Sequence, residues 1–106
     1  MIRAATALLV LALAPSTVQA GDATAGRKRA SACQTCHGMD GLSKLPEAPN
    51  LAGQVEAYLV KALGEYRDGT RRNEVMNVVA RDLGDADIAN LAAYYGGLQI
   101  EVLPPG

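Results

Sequence analysis

Apolar side chains in the second half of the chain recur at helical intervals. Val55, Tyr58, Leu59, Ala62, Leu63 and Tyr66 fall at i, i+3, i+4, i+7, i+8 and i+11. That single stripe predicts a helix from Gln54 to about Arg67. The segment "RDGTRR" (67–72) then turns the chain. In "NEVMNVVARDL" (73–83) Met76, Val79, Ala80 and Leu83 share a face, which predicts a shorter helix ended by Gly84. Ile88, Leu91, Ala92 and Tyr95 keep the spacing in a last helix, capped by Asp85 and stopped by Gly96–Gly97. Upstream, residues 22–36 read as a first helix, with Asp22 as N-cap and alanine-rich content. Gly26 lies inside it at a cost of about 1 kcal/mol against alanine. It therefore predicts a close approach by another element. "GMDGLSKLPEAPNLAG" (38–53) is broken by glycines and prolines, sustains no period and predicts a loop. The tail "LQIEVLPPG" (98–106) is expected to drape over the surface. No strand–helix–strand alternation is present, and the predicted fold class is all-α.

The first twenty residues follow another rule. Arg3 precedes the apolar run "AATALLVLALA", and Val18-Gln19-Ala20 has the small-x-small pattern of a signal-peptidase site. The run is too short to remain as a comfortable bilayer span. Residues 1–20 are expected to be a cleaved secretory signal rather than a buried helix or membrane anchor. That leaves residues 21–106 as one exported, periplasmic domain with no permanent membrane span. Setting Arg3 aside leaves nine of the ten basic side chains against eleven acidic ones. So even a balance argues against nucleic acid as a partner. The chain has no Trp and no Phe; Tyr58, Tyr66, Tyr94 and Tyr95 supply all its aromatic bulk. A domain this small needs a staple beyond such a core.

Both cysteines and the only histidine stand together as Cys33-Gln34-Thr35-Cys36-His37. A disulfide across two residues would close a tiny loop and stabilise little. A thioredoxin-like dithiol would follow a strand in a βαβ unit. Zinc would require four ligands, and the chain offers three soft or imidazole donors here. Covalent attachment of c-type haem needs each residue and each gap. Thiols at i and i+3 reach the two vinyl groups of one porphyrin, and the adjacent imidazole reaches the iron. The expected cofactor is one covalent haem c with its iron, held by Cys33, Cys36 and His37. The macrocycle would also supply the missing core.

With one histidine, a second imidazole cannot take the other axial position. Met1 leaves with the signal, and Met39 is too close to His37 along the chain to reach the opposite face. Met76 is the expected distal ligand, with Lys44, Lys61 or an open position as alternatives. A thioether there would raise the reduction potential.

On these residues the chain resembles the class I c-type cytochromes, in particular the short bacterial single-haem kind and the halves of periplasmic two-haem cytochromes. "GDATAGRKRASACQTCHGMDG", "APNLAGQ", "NEVM" and "DADIANLAAYY" carry the likeness and cover most of residues 21–106. The resemblance implies a small fold of three to five helices wrapped around one haem, with His37 and Met76 as iron ligands. It also implies that the Pro49 carbonyl accepts from His37, that Gly26 marks the crossing of the first and last helices against Tyr94 or Tyr95, and that Leu51 and Leu59 pack on the haem. The implied function is electron transfer between redox protein donors and acceptors, without an enzymatic reaction of its own. An alternative shares every haem residue: the cytochrome subunit of a flavocytochrome c type dehydrogenase, such as a sulfide dehydrogenase, accepting electrons from a flavoprotein. "KLPEAPNLAG" and the proline-ended tail are similar to that group. A gas-binding or peroxidase haem would need an open sixth position and a distal acid–base group, against which Met76 and the lone histidine both argue. The chain departs from mitochondrial members in lacking a Trp and a lysine ring. Propionate contacts are therefore left unassigned among Tyr66, Arg71 and Arg72, and docking is expected at an apolar haem edge.

Overall fold

The computed structural model describes residues 1–14 and 20–106. Residues 1–14 and Ala20 carry no regular secondary structure; Val18 and Gln19, in the expected cleavage site, lie outside the described residues. Five helices follow in order: α1 (Ala23–Arg29), α2 (Gln34–His37), α3 (Glu56–Asp68), α4 (Met76–Ala80) and α5 (Asp85–Gly97). A 3-10 turn, Ala30–Ala32, joins α1 to α2. No strand occurs among the described residues. No helix among them is long and apolar enough to cross a membrane.

The first helix is thus not the continuous run expected from residues 22–36. Alanine favours helix throughout, so propensity alone shows no break. Packing decides it. Gly26 and Ala30 are buried on α1 and its extension, while the chain tightens at Cys33, whose N–H reaches the Ala30 carbonyl at 2.8 Å. The tightening re-aims the next turn so that His37 is buried. Asp22 caps α1 as expected, its carboxylate accepting from the N–H groups of Thr24 and Ala25 at 2.8 and 3.2 Å.

Gly26 marks the crossing of α1 and α5. A Cβ at this position would collide with the Asn90 carbonyl and come within 2.9 Å of the Tyr94 Cβ. Of the two tyrosines expected there, the neighbour is Tyr94. The crossing is tied at both ends, by the Asp22 N–H on the Asn90 side chain at 2.8 Å and by Arg29 against Asp87 at 3.5 Å.

Helix α3 begins at Glu56 rather than Gln54, and Val55, read as part of its apolar stripe, is 65 % exposed. It packs on α5, where Arg67 reaches the Leu83 carbonyl at 3.1 Å and the Asp85 carboxylate at 2.8 Å. Asp85 is therefore engaged across the interface instead of capping α5. Gly84 is the N-cap, and Asp87 accepts its N–H at 3.0 Å. Helix α4 is shorter than the 73–83 expected because side-chain hydrogen bonds take over residues 73–75 and a turn closes Ala80–Leu83. The core gathers Ala30, Leu59, Ala80, Leu83, Ile88, Leu91, Ala92 and Tyr95. No large side chain in it is completely buried. The tail from Gln99 onward has no regular structure, as expected.

Candidate functional site

Helix α2 is a single turn carrying the two cysteines and His37. Its end is set by Gly38 at φ +73°, a backbone conformation that disfavours a side chain. The 38–53 loop then folds back over the turn. The Lys44 N–H reaches the Cys36 carbonyl at 2.8 Å, and the Gly41 carbonyl accepts from Leu51 and Ala52 at 2.8 and 3.0 Å. This closure sets the Pro49 carbonyl 2.9 Å from His37 Nδ1. The imidazole N–H donates to that carbonyl. With Nδ1–H donated, the lone pair of the ring lies on Nε2. His37 is only 7 % exposed.

Two tyrosines of α5 grip the same turn. Tyr95 donates to the Gly38 carbonyl at 3.0 Å and Tyr94 to the Met39 carbonyl at 2.5 Å. Their rings meet edge to face with centroids 5.1 Å apart. Burial, with smaller contributions from Cys33, Tyr94 and Asp40, holds the Tyr95 phenol protonated far beyond the usual tyrosine range. It is a fixed donor at any physiological pH.

Cys33 and Cys36 are free thiols, both half-buried. Burial pushes the Cys33 thiol up, opposed by Arg29 and assisted by Cys36. The thioredoxin-like reading fails on topology, since the motif follows a helix and no strand occurs among the described residues.

Met76 opens α4 and is half-buried. Met39, by contrast, is packed against the core cluster on the side of its own turn. The lysine alternatives are both engaged. Lys44 pairs with Asp40 at 3.0 Å, and Lys61, 74 % exposed in its side chain, pairs with Glu65 at 3.3 Å. The Leu42 N–H, followed by Lys44, holds the Asp40 carboxyl below the usual range. Leu59 is buried and Leu51 half-buried against the same core. Of the three propionate candidates, Arg71 and Tyr66 come together. The Arg71 guanidinium lies over the rings of Tyr66 and Tyr58, 5.1 and 5.8 Å from their centroids, and donates to the Tyr58 hydroxyl at 3.0 Å. Arg72 is elsewhere, facing a shallow surface hollow with Gly69, Asn73, Glu74 and Asn77.

Sequence reasoning missed the phenol groups of Tyr94 and Tyr95 as clamps, and it missed Asn73 and Asn77. Asn73 had a readable signal, an asparagine just before a helical run. The rest depend on partners far along the chain.

The donor set fits a covalently held haem. Two cysteines stand one helical turn apart with no disulfide between them, and the neighbouring imidazole is oriented by a backbone carbonyl with Nε2 left as its donor. Exposed apolar side chains stand at the start of α3, Val55 and Tyr58, and around α4, Val75, Val78 and Val79.

Comparison with known proteins bears on the same residues. The family model for cytochrome c matches residues 23–98. Cytochrome c4 of Pseudomonas aeruginosa is 42% identical over 95 residues, covering 90% of this chain and 47% of that protein. Cytochrome c-554(548) of Halomonas halodenitrificans is 46% identical over 79 residues, covering 72% of this chain and 95% of that protein. The crystal structure of reduced recombinant cytochrome c4 from Pseudomonas stutzeri aligns with a TM-score of 0.71 at 37% identity, covering 76% of this chain and 47% of that one. The chain thus spans about half the length of the cytochrome c4 proteins it matches. With Cys33, Cys36 and His37 inside the matched residues, the chain belongs to the cytochrome c family, with the all-α class I fold and one covalent haem c.

Proposed function

We propose that this chain is a periplasmic electron-transfer protein, with residues 1–20 a cleaved export signal and residues 21–106 the working domain. The observation that carries the reading is the bond from His37 Nδ1 to the Pro49 carbonyl, which ties the turn bearing both cysteines to the loop folded over it. When bound, the haem supplies a one-electron couple between ferrous and ferric iron. Cys33 and Cys36 would hold it through thioether bonds, and His37 would present Nε2 to the iron. The Pro49 carbonyl fixes the ring orientation and raises the basicity of that nitrogen. Met76 would supply a thioether sulfur as the second ligand, and Leu51 and Leu59 would pack against the macrocycle. A domain built in this way moves electrons between redox proteins and performs no turnover of its own.

Partners meet it through apolar contact more than through charge. The exposed valines of the α3 and α4 edge carry no net field, and the chain as a whole is close to neutral. The family relatives favour this reading over the flavoprotein-linked subunit. A gentle periplasmic extract, run on a sizing column with haem and flavin absorbance followed together, tests the choice. The chain is expected to elute with haem and without flavin, and to show a reversible one-electron potentiometric wave. Haem travelling with flavin in a larger species would establish the subunit role instead.

A further inference from the structure

Helix α4 is five residues long, far below the length at which a helix holds itself together in water. Only Ala80 of its residues is buried. Something else must fix its first turn, and the hydrogen bonds point to one side chain. The Asn77 Nδ2 donates to the Tyr66 carbonyl at 2.9 Å and to the Arg71 carbonyl at 2.8 Å. Its Oδ1 accepts from the Asn73 N–H at 2.7 Å. Asn73 answers with its own Oδ1, which accepts from the N–H groups of Val75 and Met76, both at 3.0 Å.

The orientation of the Asn77 amide follows from its partners. Turning it over would set an oxygen against two carbonyls and an NH₂ against an N–H. Tyr66 lies in the last turn of α3, where carbonyls lose their helical partners. One side chain therefore satisfies the end of α3, the 69–72 turn and the entry to α4, and it sits next to Met76 in sequence.

We propose that Asn77 is the positioning residue for the distal ligand: its carboxamide fastens the Met76 turn to α3 and thereby holds the thioether on the iron. The proposal rests on Met76 being that ligand. The α1–α5 crossing and the clamp on α2 do not use Asn77. Its loss therefore releases Met76 as a local opening before the rest of the fold melts.

The test uses the full haem-loaded protein with Asn77→Asp, which keeps the oxygen but loses both donors, and Asn77→Ala, which loses all three bonds. Two readouts report the ligand: the far-red ferric absorption of thioether-bound iron and the uptake of carbon monoxide by the ferrous protein. Circular dichroism in urea reports the helices. Both variants are expected to raise the open, carbon monoxide-accessible fraction roughly tenfold or more. The far-red band should then disappear at lower urea than the helical signal. If the two transitions shift together, or neither readout departs from the parent, Asn77 is structural filler and the proposal is overturned. Met76→Leu, measured alongside, separates the two claims. A band that survives Met76→Leu overturns the ligand assignment and this proposal with it. A band lost in Met76→Leu with parent-like Asn77 variants overturns this proposal alone.

Discussion

On the Cys33–His37 side the chain holds its ligand with backbone carbonyls that cannot move independently of the fold. Pro49 pins the imidazole, and the phenols of Tyr94 and Tyr95 pin the two residues after it to α5, 55 and 57 residues further along the chain. On the Met76 side a single turn of helix is tied down by amide side chains, with valines exposed around it. The first arrangement makes the geometry of His37 part of global stability. The second fastens the Met76 turn through local carboxamide bonds. With Met76 as the proposed distal ligand, the domain is asymmetric in where it can yield.

The sharpest way to break that comparison is to remove the covalent link. Replacing both Cys33 and Cys36 by serine is expected to leave no haem that survives acid–organic extraction. A full complement retained in the double variant would show that the turn does not attach it. Next in size is Gly26→Val, which forces a side chain into the Asn90 carbonyl at the α1–α5 crossing. A loss of about 3 kcal/mol in a urea melt is expected, with covalent attachment intact. An unchanged midpoint would mean that the crossing bears no strain.

Tyr95→Phe removes one buried phenol bond to the Gly38 carbonyl and should cost about 1–2 kcal/mol. Its pattern should be the opposite of the Asn77 variants. Global melting falls while the far-red band persists until the helices go. Loss of the band ahead of the helices in Tyr95→Phe would erase the distinction between the two sides.

Asp40→Asn probes the smallest contribution. The Asp40 carboxyl is held below its ordinary value, so its favourable contacts are present at neutral pH and fade as acid protonates it through that lowered value. The asparagine variant should lose less stability than the parent as the pH is lowered through and below the ordinary carboxylate range. Parallel acid limbs in the two proteins would show that the contact with the Leu42 N–H and Lys44 contributes nothing.

Local chemistry was the most legible part of the sequence. The Cys33–His37 motif is contiguous, so its meaning needs no tertiary information. Gly26 was readable because a helix-interior glycine is anomalous, and its partner on α5 emerged as Tyr94. The long stripes of α3 and α5 were equally plain. What failed was decided by contacts between distant segments. The break after Arg29 is invisible to alanine propensity, and the shrinkage of 73–83 to five residues follows from the Asn73 and Asn77 carboxamides taking over the N–H groups at its start and from the Ala80–Leu83 turn at its end. Asp85 looked like a cap but found Arg67, while Asp87 reached back to Gly84. The Met76 anchor is least legible of all, since nothing in "NEVMN" says that its last residue will meet one carbonyl at the end of α3 and another in the turn after it.

The tie between the Asp22 N–H and the Asn90 side chain spans 68 residues, nearly the whole domain. A chain threaded N-terminus first therefore presents Cys33, Cys36 and His37 well before α5 emerges. Until it does, α1 lacks the helix it crosses and the Gly38 and Met39 carbonyls have no phenols. The order of elements leaves an interval in which the thiols stand open to any machinery that must reach them. The thirteen residues of α5 end that interval when they dock.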